Sequence, residues 1–218
     1  TIPTLAIDAP AVIALVNESS YTVSGTCDED TATVNIVLGA LATTTTCSSG
    51  TWSKTSWNVS TESDNAAIAI TADYYDLAGN PANQATSSVL KDTVAASVAL
   101  ITPADSSTIT SATDSVTFSV NGTCDENGQA VQVKINGTAA ANPIGLNCDG
   151  TNFTGTIDTT ALTYGVHSFT AELTDANGNV GVSTPHSIER VDYNVAITTP
   201  VDISLANETA YTISGTCT

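Results

Sequence analysis

Aspartate and asparagine side chains recur in this chain at spacings that suit a hard cation. Asp175, Asn177 and Asn179 alternate along one short stretch, which lets several side-chain oxygens converge on one centre. Calcium takes roughly six to eight such oxygens. The sequence predicts a calcium ligand pool at the boundary between two domains, made up of Asp92, Asp125, Glu126, Asp175, Asn177 and Asn179. An equally open interpretation is that Asn and Gly only form a tight hairpin turn here.

A weaker candidate set lies earlier in the chain. The stretch Asp76-Leu77-Ala78-Gly79-Asn80 resembles the stretch from 175 to 179 but lacks the middle asparagine. An acidic run at 28–30 is expected at the same end of that domain, although exposed turn residues explain it as well. The weaker metal candidates are therefore Asp28, Asp30, Asp76 and Asn80.

Five cysteines suggest two disulfides and one unpaired thiol. Cys27 and Cys47 are 20 residues apart and Cys124 and Cys148 are 24 apart, so each complete repeat holds one pair. There is no Cys-x-x-Cys and no zinc-ligand spacing to a histidine. Disulfides imply an oxidising compartment, while buried free thiols are the alternative. The partner of Cys217 is not identified.

No catalytic residue is predicted. Glu62 and Asp64 could do acid and base work, but they lie in a predicted loop without an aromatic cleft. His167 and His186 accompany no nucleophile motif and are interpreted as structural or solvent-facing. The chain is therefore interpreted as not an enzyme.

The charge balance limits the classes of partner that this chain can bind. There are 22 acidic and 4 basic side chains, a net charge of −18. A phosphate-binding surface needs clustered Lys and Arg, so nucleic acid and anionic membranes are excluded as partners. No stretch of this segment approaches the ~20 apolar residues of a membrane helix. The balance suits a secreted protein that stays soluble and binds hard cations, or one that is merely soluble.

A short signature occurs three times and sets a period of about one immunoglobulin-sized unit. Gly-Thr-Cys stands at 25–27, 122–124 and 215–217, so the cysteines are 124 − 27 = 97 and 217 − 124 = 93 residues apart. The sequence predicts a first repeat at 1–95, a second at 96–194, and the opening of a third at 195–218.

Short runs of β-branched residues between Gly, Asn, Asp and Pro predict an all-β chain with seven strands in each repeat. In the second repeat these include strands near 144–148 and 180–189. Antiparallel strands alternate in direction, so counting them places Cys27 and Cys47 at the end of the domain where the chain enters. The same count places the loop 76–80 at that end. Trp52 and Trp57 are predicted in the core rather than in a ligand platform, with Phe153 at the position matching Trp52.

Four motifs resemble bacterial immunoglobulin-like repeats. They are the Ser-Gly-Thr-Cys turn at 24–27, the Cys-x-x-Gly-Thr-Trp run at 47–52, the Asp-x-Ala-Gly-Asn hairpin at 76–80 and the Asp-Thr-Val-Ala linker at 92–95. The resemblance covers the whole chain. It implies tandem seven-stranded immunoglobulin-like β-sandwiches, two complete and the first two strands of a third. It also implies stalks of large Gram-negative surface proteins, some with calcium at domain boundaries.

The leading hypothesis is an extension segment of an extracellular or cell-surface bacterial repeat protein, adhesin-like and in contact with other repeats of its own chain. The first alternative is a subunit of a self-assembling extracellular filament, joined to copies of itself by strand or edge pairing. The second alternative is a carbohydrate-binding module, which requires an exposed aromatic platform.

Overall fold

The computed structural model describes residues 2–110, 112–192, 195–198, 209 and 211–217. Every regular element within these ranges is a β-strand, which confirms the predicted fold class. The chain divides into two compact units. The first comprises Thr1–Ala95 with Thr174–Val180, and the second comprises Ala96–Leu173 with Gly181–Thr218. The repeat boundaries predicted from the sequence stay a prediction.

The first unit is a sandwich of a three-stranded and a four-stranded sheet. Its strands are β1 (Leu5–Ile7), β2 (Tyr21–Cys27), β3 (Thr33–Leu38), β4 (Leu41–Thr46), β5 (Thr51–Trp57), β6 (Asn65–Asp73) and β7 (Ala85–Lys91). One sheet has the order β1-β2-β5 and the other has the order β4-β3-β6-β7, with antiparallel pairing throughout both.

The second unit repeats this plan with more strands, several of which have only two or three residues. Its strands are β8 (Val98–Thr102), β9 (Thr108–Ile109), β10 (Phe118–Cys124), β11 (Val131–Ile135), β12 (Thr138–Ala139), β13 (Ala141–Ile144), β14 (Asn152–Asp158), β15 (Gly165–Thr174), β16 (Val180–Val182) and β17 (His186–Arg190). One sheet has the order β13-β14-β10-β8 and the other β12-β11-β15-β17-β9, with β16 beside β15.

Two strand predictions in the second repeat were wrong in detail. The predicted strand at 180–189 is divided into β16 and β17, because Pro185 lies between them and has no N–H to donate to a sheet. The predicted strand at 144–148 lies earlier, at β12 and β13. The short parallel strand β9 was not predicted, and the described residues from 98 to 190 form ten strands in place of the predicted seven.

Alternation of side chains builds the core between the sheets. Along β2, Tyr21, Val23, Gly25 and Cys27 are buried while the residues between them are not. This period of two is what a strand with one buried face requires. Trp52 and Trp57 lie in the core of the first unit, and Phe153 is buried in the core of the second. The predicted core positions are confirmed.

Both predicted disulfides are present. Cys27 bonds Cys47 with sulfurs 2.04 Å apart, and Cys124 bonds Cys148 at 2.12 Å. In the first unit the bond joins the end of β2 in one sheet to the residue after β4 in the other sheet. Parity therefore placed these cysteines correctly. Cys217 is an exposed free thiol among the described residues.

The glycine of the repeated signature is required by packing. A Cβ on Gly25 would lie 1.9 Å from the Ala6 carbonyl oxygen and 2.6 Å from the Trp52 ring. The Trp52 indole lies over this glycine and donates its N–H to the same carbonyl at 3.1 Å. Gly122 is in the same position, 1.9 Å from the Ala99 carbonyl oxygen. Any larger residue would push the first strand away from the second.

The signature pairs with the incoming strand in the same register three times. Leu5 pairs with Cys27 in the first unit, and Val98 pairs with Cys124 in the second. Near the end of the chain, β18 (Val195–Ile197) pairs antiparallel with β19 (Gly215–Cys217), and Val195 is opposite Cys217. The remainder of the predicted third repeat lies outside the described residues, apart from a few positions.

Candidate functional site

The loop Asp175–Asn179, here named the Asp175 loop, is organised by its own aspartate. One carboxylate oxygen of Asp175 accepts the backbone N–H groups of Asn177 and Asn179, both at 2.8 Å. The other accepts the Asn179 side-chain amide at 2.8 Å. Short polar side chains that bond nearby backbone groups favour such turns, and Gly178 takes the positive φ of 92° that the turn requires. The plain hairpin interpretation therefore describes this loop well.

Asn179 links this loop to the rest of the first unit. Asn179 is 1% exposed, and its side-chain amide makes three hydrogen bonds, one of them to Asp175. Its oxygen accepts the backbone N–H of Leu15 at 2.8 Å, and its nitrogen also donates to the backbone carbonyl of Asp92 at 3.0 Å. Both N–H groups and the oxygen of this buried amide have hydrogen-bond partners, so the amide stabilises one arrangement of the loop. Any other arrangement would leave buried polar atoms without partners.

Asn177, like Asn179, contacts Asp92. Its side-chain nitrogen donates to the carboxylate of Asp92 at 2.7 Å. The other Asp92 oxygen accepts the backbone N–H of Val94 at 3.1 Å. Burial by itself would raise the pKa of Asp175, but the hydrogen bonds from Asn179 and Asn177 outweigh burial and lower that pKa below its usual range.

The structure brings together four members of the predicted calcium pool: Asp92, Asp175, Asn177 and Asn179. Their oxygens suit a hard cation chemically. In this arrangement, however, amide nitrogens rather than oxygens face the two carboxylates, and the Leu15 N–H fixes that orientation of Asn179. Among the described residues, no three acidic, His or Cys side chains are grouped as metal ligands. The calcium pool stays a prediction.

Asp125 and Asp28 have the same structural task in their own units. Asp125 accepts the backbone N–H of Ser97 at 2.8 Å, and Asp28 accepts that of Thr4 at 3.0 Å. Each aspartate follows the signature cysteine and holds the incoming chain beside it. Glu126 follows Asp125 in the turn, where its carbonyl accepts the Gln129 N–H.

A tyrosine that was not predicted from the sequence as a site residue contacts Asp28. The Tyr74 hydroxyl is hydrogen-bonded to the Asp28 carboxylate and to the Thr4 carbonyl, and Tyr74 is fully buried. Burial, then the Asp28 contact, raises the pKa of Tyr74 to about 12. The Tyr74 hydrogen bond in turn lowers the pKa of Asp28. Asp30 accepts the Gly50 N–H at 3.2 Å.

The loop Asp76–Asn80, named the Asp76 loop, has the internal geometry of the Asp175 loop. One Asp76 oxygen accepts the N–H groups of Ala78 and Asn80 at 2.9 and 2.7 Å, and the other accepts the Asn80 amide at 2.8 Å. The Asn80 amide, then its backbone N–H, lowers the pKa of Asp76. Unlike Asn179, Asn80 is exposed.

In the first unit, the entering segment and the final strand run side by side in the same direction. Ile13 forms a parallel bridge with Lys91, donating its N–H to Leu90 at 2.9 Å and accepting the N–H of Asp92 at 2.9 Å. We name this pairing, with its counterpart in the second unit, the terminal clamp.

The second unit has the counterpart in an extended form. β9 pairs parallel with β17, with Thr108 opposite Glu189 and Ile109 opposite Arg190. The Val191 N–H donates to Ile109 at 2.9 Å, which corresponds to Asp92 and Ile13 in the first unit. The two units therefore close in the same way.

A basic side chain lies at the terminal clamp of each unit. Lys91 is 2% exposed and contacts Glu18 at 2.7 Å and Asp64 at 3.6 Å. Arg190, at the equivalent position, pairs with Asp114, donates to the Leu162 carbonyl and stacks on Tyr164 at 5.1 Å from the ring centre. Glu18 and Asp114 occupy equivalent turns, because their N–H groups donate to Ala14 and Thr110.

Sequence reasoning missed this pair of cations, although a signal was present. The chain has only four basic residues, and Lys91 and Arg190 are 190 − 91 = 99 residues apart. The asparagine-containing loops have the same offset, since 175 − 76 = 99. Two of the four basic residues at one repeat position in a strongly acidic chain are a sequence signal for a paired basic side chain at that position.

The described surface offers little for ligand stacking. Both tryptophans are in the core, and the exposed aromatic residues include Tyr75 and Tyr164, of which Tyr164 has the Arg190 guanidinium over its ring. A groove beside Ile135 and Leu162 is lined by alanines, these two aliphatic residues and the polar residues Asn136, Thr138 and Asp158, without an aromatic ring. Within the described ranges, no helix has the length and apolar character needed to span a membrane.

Comparison with solved structures finds a similar fold in a bacterial adhesin. A Ca2+-stabilized adhesin with which an Antarctic bacterium binds ice is 22% identical, with a TM-score of 0.53 over 92% of this chain and 52% of that chain. A 1.5-MDa bacterial ice-binding adhesin is 21% identical, with a TM-score of 0.47 over 88% of this chain and 66% of that chain. This chain thus spans about half the length of the first of these structures.

Fibronectin(III)-like modules of Clostridium thermocellum CbhA are 15% identical, with a TM-score of 0.48 over 87% of this chain and 94% of that chain. No protein-family model and no curated protein matches the sequence. The resemblance to bacterial immunoglobulin-like repeats is confirmed at the level of fold, on which the first of these comparisons bears.

Proposed function

We propose that this chain is a tension-resisting extension segment of an extracellular or cell-surface bacterial repeat protein of the adhesin type. The terminal clamp carries the proposal, because it occurs in both units with the same hydrogen-bond pattern. Such a segment does no chemistry. It keeps the parts of a long chain on either side of it a fixed distance apart.

The direction of the paired strands gives the physical reason. When the two ends of a unit are pulled apart, the entering segment and the final strand are dragged in opposite directions along their shared axis. Because they are parallel neighbours, their hydrogen bonds are loaded together in shear. A pair of strands loaded from one end would instead open one bond at a time, at lower force. The arrangement therefore favours resistance to extension.

The ion pairs of Lys91 and Arg190 reinforce the same junction. Lys91 lies on the final strand and Glu18 in the turn just after the entering segment, so their ion pair connects the two elements that tension separates. Arg190 and Asp114 connect the equivalent elements in the second unit. Removing one member of a partly buried pair leaves the other charge poorly solvated, which costs more than loss of a surface pair.

The disulfides limit how far an opened unit can lengthen. The loops closed by Cys27–Cys47 and Cys124–Cys148 stay closed when the rest of the unit extends. A closed stretch of 20 residues withholds about 70 Å of chain at roughly 3.5 Å per residue. Disulfides form and persist in oxidising environments, which supports an extracellular location for this segment.

One of the similar structures is a bacterial adhesin, which supports an adhesin-type context. Neighbouring repeats of the same chain are the natural partners of such a segment. Copies of the chain in a filament remain an alternative, tested by whether the purified protein self-associates with time. A carbohydrate-binding role is disfavoured by the burial of both tryptophans.

Single-molecule stretching of the full chain tests the proposal. The Val191→Pro variant removes the N–H that donates to Ile109 in the second clamp. We expect the unfolding force of the second unit to fall while that of the first unit is unchanged. A variant background with Cys27→Ser and Cys47→Ser lengthens the first unit's event by about 70 Å and so identifies it.

Ile135→Val is the matched control. Ile135 is buried on β11, away from the clamp, and the change costs about 1 kcal/mol of stability. We expect the Ile135→Val variant to lose equilibrium stability with little change in unfolding force. If both variants lower the force in proportion to their stability, the clamp has no special mechanical role and the proposal is wrong.

As a finer point, we propose that calcium binds the pool around Asp92 and Asp175 only when it displaces the amide donors of Asn177 and Asn179. Competition with these hydrogen bonds places the affinity in the millimolar range, about 10⁻⁴ to 10⁻³ M, as in other extracellular modules. We expect the melting temperature to rise in millimolar calcium and to stay constant in the Asp175→Ala variant. A melting temperature unchanged by about 10 mM calcium, roughly ten times the upper end of that range, would remove calcium from the proposal.

A further inference from the structure

We propose that the Asp76 loop is a docking surface for a second copy of the first-repeat fold, and that Asn80 binds the copy's equivalents of the Leu15 N–H and the Asp92 carbonyl. This inference rests on the proposed extension role, since it names the partner that a neighbouring repeat offers. The Asp175 loop provides the precedent, because its asparagine already makes these two contacts in the first compact unit.

The two loops match atom for atom in their internal bonds. In each, one oxygen of the leading aspartate accepts two backbone N–H groups and the other accepts the final asparagine's amide, within 2.7–2.9 Å. This aspartate fixes the orientation of the amide before anything binds. The amide oxygen and the second N–H proton of Asn80 are thereby aimed away from the loop, as those of Asn179 are.

The surroundings of the two asparagines differ. Asn179 is 1% exposed and uses its remaining polar atoms on Leu15 and Asp92. Asn80 is exposed, and within the described part of the chain its hydrogen bonds stay inside its own loop. The same preorganised group is therefore occupied in one loop and open in the other.

The partner of the Asp76 loop is inferred from the groups that the Asp175 loop contacts. Both contacts are to backbone atoms of the first repeat, in the turn at Leu15 and at Asp92 after β7. Four of the six residues of that turn recur at the same spacing further along the chain. Ile13-Ala14-Leu15-Val16-Asn17-Glu18 corresponds to Ile203-Ser204-Leu205-Ala206-Asn207-Glu208. The sequence pattern of the turn that receives the Asp175 loop therefore occurs twice in this chain.

Backbone contacts also suit the charge of this protein. Two surfaces of a chain with net charge −18 repel each other if they meet through carboxylates. An asparagine that binds an N–H and a carbonyl needs no opposite charge on its partner. The docking is consequently expected to depend little on salt.

A fused chain provides the test. Residues 1–93 are placed directly before Thr1 of the full chain, which reproduces the five-residue spacing from Asp92 to Ser97 as the spacing from Asp92 to Thr4. The upstream copy has Val16→Ile, a change at an exposed position that gives its peptide a distinct mass. Hydrogen–deuterium exchange by mass spectrometry then reads the Leu15 amide in each copy separately.

We expect the upstream Leu15 amide to exchange about fivefold more slowly than in a fusion with Asn80→Ala, the change typical of one hydrogen bond. Asn83→Ala, an identical change at an exposed asparagine nearby, leaves the exchange slow. Ala78→Asn restores the middle asparagine present at Asn177 and slows exchange further. In the unfused chain, Asn80→Ala leaves the Leu15 amide unchanged and Asn179→Ala accelerates it.

Equal exchange in the fusion with and without Asn80 overturns the docking inference. That outcome is distinct from failure of the extension role, which the Val191→Pro and Ile135→Val stretching experiment decides in the unfused chain. If fusion protects the upstream amide but Asn80→Ala does not release it, neighbouring repeats meet by another surface and the inference is wrong.

Discussion

The two sandwiches have the same backbone frame but different side chains at equivalent points. Trp52 covers the signature glycine in the first unit, and Phe153 covers it in the second. Lys91 lies at the first terminal clamp, and Arg190 lies at the second. The register of the signature is the same in both units. Backbone pairing and the glycine are therefore fixed, whereas the group packed over them can vary.

The largest expected effect comes from removing a disulfide. Cys27→Ser with Cys47→Ser lowers the free energy of unfolding of the first unit by about 3 kcal/mol. This is the loss expected when a disulfide that closes a loop of 20 residues is removed. Both tryptophans belong to the first unit, so tryptophan fluorescence in a urea titration follows that unit alone.

The mirror variant is the control for this measurement. Cys124→Ser with Cys148→Ser shifts the circular-dichroism transition of the second unit and leaves the tryptophan transition nearly unchanged. Equal shifts of the tryptophan transition in both variants would contradict the description of two sandwiches with separate cores.

The second effect concerns the signature glycine. Gly25→Ala forces a Cβ to within 1.9 Å of the Ala6 carbonyl oxygen, so β1 has to move from β2. We expect a loss of about 2–3 kcal/mol in the first unit, the upper part of the usual range for overpacking. Gly79→Ala is a useful contrast, because a Cβ there meets nothing within 4 Å and only the positive φ of the turn opposes it. A smaller loss at Gly25 than at Gly79 would show that packing does not fix this glycine.

A third, smaller effect tests whether the covering ring can be exchanged. Trp52→Phe gives the first unit the residue of the second, but it removes the indole N–H bond to Ala6 and part of the ring volume. We expect a loss of about 1–2 kcal/mol, measured by circular dichroism. Phe153→Trp overpacks the second core by a similar amount. A Trp52→Phe variant as stable as the parent would mean that the indole hydrogen bond contributes nothing.

The smallest effect is a pH dependence of the Asp175 loop. Folding lowers the pKa of Asp175, so its stabilising contribution is fully present above the unfolded value of about 3.9 and is lost as pH falls through the folded value. We expect the Leu15 amide, measured by hydrogen exchange corrected for intrinsic rates, to lose protection as pH is lowered from about 5 towards 2. Asp175→Asn should remove this dependence. A titration that persists in Asp175→Asn would assign it to another carboxylate.

Much of the fold was predictable because it depends on local patterns. Alternation along β2, the repeated Gly-Thr-Cys signature and strand parity predicted the sandwich and both disulfides correctly. The division of the predicted strand at 180–189 and the short parallel strand β9 were missed. Short parallel pairing of distant segments leaves no periodic signal, since only a few residues from each segment take part.

The sequence by itself determined the repeat period, the core positions and which residues form the two aspartate-led loops, because these depend on side-chain types at fixed spacings. Only the tertiary structure decided what those loops do. It aimed the amides of Asn177 and Asn179 at Asp92 and Asp175 in place of oxygens, and it paired Lys91 with Glu18 across 73 residues of chain. The physical reason is that a side chain's partner depends on which backbone segments the fold brings within hydrogen-bond distance, and residue spacing does not encode that distance.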